Sequence, residues 1–133
     1  MTPNQEIEKW NHQGIELNKG ASNIEIETLE KEIEFKFPKD FKDLYYQVNG
    51  FKDGDWTANM FSLFSTTKIK KEYFDIQNEP NFVPIMDWLI ASHFIGYLKD
   101  KQGIYTNSMQ ENSICKNLEE LFQLIEQDSE LLY

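Results

Sequence analysis

A chain of 133 residues is one domain's worth of sequence, long enough to bury roughly 65–70% of its unfolded surface. Acidic residues outnumber basic ones 23 to 13, for a net charge of −10, and every basic residue is a lysine. Without arginine's bidentate fork or a cationic face, the chain does not read as a nucleic-acid or phosphate binder. A lone cysteine, Cys115, excludes an internal disulfide and a cysteine-built zinc site.

No apolar run approaches the ~18 residues of a membrane span, and the polar, acidic N-terminus is unlike a signal peptide. The expected location is therefore cytoplasmic. The negative charge has two readings at this level. It keeps the protein soluble, or it draws in a cationic partner.

Residues 1–20 read as a short accessory helix ahead of a core over 21–133. Thr2 and Gln5 have capping-box spacing, Pro3 suits the first helical position, and Gly14 is a stop. Ile7 and Trp10 face the body. A second helix starts at Ser22, where Ser22 and Glu25 form a capping box. Ile26, Leu29 and Ile33 then make an apolar stripe. Pro38 drives its predecessor out of the helical region, so a new element begins there. Phe41, Leu44, Tyr45 and Val48 fall at i, i+3, i+4 and i+7, one buried helix face, and Gly50 is placed to close that helix.

Residues 51–59 read as a loop, 60–64 as a strand and 67–76 as a short helix facing inward with Ile69, Tyr73 and Ile76. A strand follows at 82–88, with Pro84 marking an edge or an irregular start. Residues 94–98 are apolar on both faces, as in a covered central strand. Residues 100–103 form a turn, with 104–106 returning as the hairpin partner. The last helix begins at Asn117 with Glu120 at capping-box spacing, and Leu118, Leu121, Phe122 and Ile125 on its buried face. Helix pair, antiparallel strands, terminal helix: the order is α+β.

The succession Ile26, Leu29-Glu30, Phe37-Pro38, Phe41, Leu44-Tyr45 and Asn49-Gly50 resembles the opening of the SUKH superfamily, the Smi/Knr group. Trp88 and Gly103 fit its later strands, and the resemblance runs from about residue 20 to the end. In two places the chain departs from the family pattern. Glu34-Phe35-Lys36 stands where the family usually has a Gly, and Phe37 replaces Leu before the proline. The resemblance implies an N-terminal helix pair and a C-terminal helix packed on a mainly antiparallel sheet, in a single domain. It also implies a non-enzymatic binding domain of the bacterial immunity kind, which neutralises a cognate toxin such as a nuclease with a basic cleft. The alternative is a scaffold of the cell-wall-synthesis-regulator type, holding a housekeeping partner.

Candidate catalytic groups are sparse. His93 near Asp87 suggests an acid–base or metal pair, and Cys115 with His93 a thiol nucleophile. The plainer reading is a strand-end histidine and a packed thiol. Asp53 and Asp55 around Gly54 lack the other ligands of a calcium loop. No catalytic residue, metal site or cofactor is expected. For partner contact, Trp56 in its Gly/Asp-rich loop serves as an interface anchor or folds back as a core lid. The expected contact set is Asp53, Asp55 and Trp56 with Glu72, Asp75 and Glu79, facing a basic toxin domain and neither nucleic acid nor membrane. The glutamates of the second helix wind around it and read as a solvated face or as contact surface.

Overall fold

The structure, a computed structural model, describes residues 3–52, 55–57, 61–76, 80–88, 93–108 and 110–127, with the side chains of Pro3, Trp88 and His93 left aside. Among these residues the fold is α+β, with five helices and two antiparallel sheets.

Helix α1 (Pro3–His12) buries Trp10, whose ring packs edge-on against Phe51 at 5.0 Å and Phe122 at 5.5 Å. Gly14 ends it in the left-handed conformation (φ 75°), and the Ile15 N–H returns to the Trp10 carbonyl. The chain then forms strand β1 (Leu17–Lys19), within the stretch read from sequence as helical. β1 pairs antiparallel with β2 (Val48–Phe51) in a two-stranded sheet.

Helix α2 (Asn23–Ile33) carries the expected capping box: Ser22 Oγ accepts from the Glu25 N–H, and Glu25 accepts from the Ser22 N–H. Ile26, Leu29 and Ile33 are buried. Glu34 ends the helix in the left-handed region (φ 57°), the conformation a glycine adopts without steric cost. After Pro38, α3 (Lys39–Tyr45) runs for seven residues, too short to persist alone in water. Its support is a stack of rings: Phe37 on Phe41 at 3.9 Å and Phe41 on Tyr45 at 4.0 Å. Each is buried, a contribution of about 1.5–3 kcal/mol per side chain.

Two sequence expectations are corrected here. Val48 and Gly50 belong to β2, because the helix already closes at Tyr46, whose N–H reaches the Lys42 carbonyl. Phe51, expected in a loop, completes that strand. Gly50 does take a positive φ (70°), within a strand: a Cβ there would run into the Phe64–Ser65 peptide.

The second sheet has the order β3-β4-β5-β6, from β3 (Phe61–Leu63), β4 (Phe82–Trp88), β5 (His93–Leu98) and β6 (Lys101–Thr106). Helix α4 (Thr66–Asp75), capped by Ser65, connects β3 to β4. Pro84 sits at a register shift, just beyond the end of β3, so an interior strand tolerates it. The turn of the last hairpin is at 99–100. Gly103, placed by sequence in that turn, lies inside β6 at φ 101°, where Leu98↔Lys101 and Gly96↔Tyr105 are out of step. Its missing side chain admits Ser113, whose Cβ would stand 2.8 Å from a Cβ at 103.

Helix α5 (Leu118–Glu126) buries Leu118, Leu121, Phe122 and Ile125. Asn117 accepts from the Glu120 N–H, and Glu120 reaches back to the Lys116 N–H. Asp40 at the start of α3 accepts from the Leu118 N–H at 3.0 Å, tying α3 to α5. No described helix is long and apolar enough to cross a membrane.

Candidate partner-binding surface

The polar residues of the helix-pair motif are spent on the frame. Glu30 is buried, accepts from the Phe37 N–H at 2.7 Å, and lies 3.5 Å from the Lys42 ammonium. It thereby fixes the chain reversal ahead of Pro38, where a backbone donor would otherwise be buried unpaired. Asn49 works across elements: its Oδ1 accepts from the Thr66 N–H and its Nδ2 donates to Thr66 Oγ1. Tyr45 donates its hydroxyl to the Phe64 carbonyl, and burial pushes its pKa well up. These bonds clamp β2 and α3 onto the β3–α4 corner.

Four of the six expected contact residues are described, two in the loop after β2 and two on α4. Asp53 and Glu79 lie outside the described residues. Asp55 is half-buried, its Oδ2 accepting from the Glu16 N–H at 2.7 Å. Trp56 is also half-buried, between the lid and the free anchor. Glu72 is 3.9 Å and Asp75 3.2 Å from the Lys71 ammonium, and with Lys68 and Lys70 the helix carries three lysines against two carboxylates. Lys52, at the root of the loop, and Glu72 line one groove of about 420 Å³ with Asn18, Lys68 and Lys71. The groove's lining includes both Glu72 and Lys52, and it is more cationic than the sequence suggested.

Sequence reasoning missed three exposed apolar side chains. Ile24 is 74%, Phe74 50% and Tyr46 42% exposed. The signal was present: Ile24 and Phe74 fall off the inward stripes of their helices. Phe74 stands between Glu72 and Asp75 on α4, an aromatic with acidic neighbours.

Of the groups considered for chemistry, Asp87 and His93 lie on neighbouring strands and Cys115 stands apart from both. Asp87 on β4 is paired in register with Phe94, His93 with Trp88, and Cys115 bridges Ile104 on the far side of β6. Asp87 and Cys115 are thus three strand spacings apart, about 14 Å at ~4.8 Å each. Burial, with Glu120 and Asp40 adding to it, pushes the Cys115 thiol up to about 12, against thiolate formation. No three metal-ligating side chains among the described residues cluster to hold an ion.

Fold and surface define a small α+β domain whose motif residues build a frame and whose α4 presents Phe74 among charged groups to solvent. The profile of the SMI1 / KNR4 family (SUKH-1) matches residues 20–124, and the chain belongs to this family, whose members often act as immunity proteins. Comparison with curated proteins finds no match.

Proposed function

We propose that this protein is an immunity protein that acts by binding, without catalysis, and neutralises one cognate bacterial toxin in the cytoplasm. The observation that carries the reading is family membership over residues 20–124, joined to a net charge of −10 without arginine. An acidic surface favours a basic toxin domain, nucleases among them, because carboxylates imitate phosphate and speed encounter. The proposed contact lies on the loop and α4: Asp53, Asp55 and Trp56, with Glu72, Asp75 and Glu79. Phe74 supplies an additional apolar anchor there.

Co-expression with the product of a neighbouring toxin gene tests the role. Rescue of growth and a stable complex are expected. Failure of both, with a constant partner captured from unstressed cells, sinks it in favour of a regulatory scaffold. Trp56→Ala tests the surface. It is expected to weaken the complex at least about tenfold while changing folding stability by less than about 1 kcal/mol. Full affinity in that variant removes Trp56 from the contact.

A further inference from the structure

One groove of the described surface has a lining opposite in charge to the molecule. It encloses about 530 Å³ between the stretch that links α2 to α3 and the β5–β6 hairpin. Lys36, Lys99, Lys101 and Lys116 line it. Six lysines elsewhere, Lys9, Lys39, Lys42, Lys52, Lys70 and Lys71, each have a carboxylate partner. Among the described residues no carboxylate pairs with Lys36 or Lys116, both exposed. Lys101 reaches only the Gln110 carbonyl, and Lys99 lies over the Tyr73 ring and donates to its hydroxyl.

Acidic groups adjoin the groove, but its lining carries four lysines against one carboxylate. Asp100 is the one carboxylate lining the groove. Asp40 and Glu120, on the adjoining elements, accept from the backbone N–H groups of Leu118 and Lys116. The floor is aromatic: half-buried Phe35 stacks on Tyr97 at 5.6 Å, with Pro38 beside them.

We infer that this groove is a second binding site, for a short acidic segment of a partner protein that lays an aromatic or aliphatic side chain on Phe35 between carboxylates held by Lys36 and Lys116. Charge complementarity selects the carboxylates, and the Phe35–Tyr97 floor selects the apolar residue between them. A long polyanion is disfavoured. Beyond a Debye length of about 8 Å it meets the repulsion of the whole −10 surface, and these lysines lack arginine's fork for phosphate. A short segment feels chiefly the local lysines. The site does not depend on the partner being a toxin.

The test uses a dye-labelled Glu-Asp-Phe-Asp-Glu peptide, its lysine-substituted counterpart and a short oligothymidylate, with anisotropy and amide chemical-shift mapping on the full chain. The acidic peptide is expected to bind saturably, more weakly as salt rises, with shifts confined to residues 35–38, 97–103 and 116. Lys36→Glu/Lys116→Glu is expected to weaken it at least about tenfold. Lys19→Glu/Lys31→Glu changes net charge equally, away from the groove, and is expected to weaken it less than about twofold. Equal loss in both double variants, shifts elsewhere, tighter binding of the oligothymidylate, or no saturation overturns the proposal. Unchanged amide dispersion in each variant confirms that folding is intact.

Discussion

Glu30 and Asn49, in the helix-pair frame, each satisfy a specific backbone N–H, at 2.7 and 2.8 Å, from a residue seven or seventeen positions away. Glu72 and Asp75, on α4, instead share one exposed lysine at 3.9 and 3.2 Å. The same carboxylate and amide chemistry therefore serves two ends. In the frame, partners and geometry are fixed, so the residue types recur as a recognisable order. On α4 the pairs are interchangeable and individually worth about 0–1 kcal/mol, so the surface is free to be rebuilt around a partner.

The most severe challenge to the frame is Glu30→Ala, which leaves the Phe37 N–H buried and Lys42 without its carboxylate. A loss of about 3 kcal/mol is expected in denaturant unfolding. A loss comparable to a surface substitution would break the contrast. Gly50→Ala comes next, at about 2 kcal/mol, since it must hold a positive φ and displace the Phe64–Ser65 peptide. A gain is expected from Glu34→Gly, which relieves the left-handed helix end and stabilises by about 0.5–1 kcal/mol, read as a higher denaturation midpoint.

Glu6 sharpens the comparison as a buried carboxylate outside the motif. Burial raises its pKa, Lys9 partly opposes this, and Glu126 adds to it. An acid whose folded pKa is raised contributes stability below its unfolded pKa, and that contribution is lost as pH climbs through the folded value. Glu6→Gln is therefore expected to raise Tm by about 1–3 °C near pH 7 and by less near pH 4. A lower Tm near pH 7 would place Glu6 with Glu30 as a structural acceptor.

Much of the frame was legible in the sequence because local rules wrote it there. Ser22 and Asn117 cap helices where their side chains compete for free N–H groups, and Pro38 can only begin an element. The stripes Ile26–Leu29–Ile33 and Leu118–Leu121–Phe122–Ile125 are buried as their spacing demanded. Strand β1 was hidden because Leu17–Lys19 is three residues with no alternation to read, and its pairing with β2 is a long-range event. Val48 misled because it continues a helical stripe by coincidence of spacing. Gly50 and Gly103 announced positive φ, but a turn, a helix stop and an irregular strand all make that demand. At the surface, composition disclosed the sum of charges and nothing of their cancellation. The pairing of Lys71 with its neighbours, and the gathering of Lys36 with Lys116, required three dimensions.

Trp10 rests against Phe122, and Lys9 binds Glu126 across 117 positions of chain. During synthesis, therefore, the first helix waits for the last. Until 118–126 has left the ribosome, the indole has Phe51 and Phe61 beside it but lacks the wall that Phe122 supplies. Its enclosure should be completed in one late step as α5 emerges.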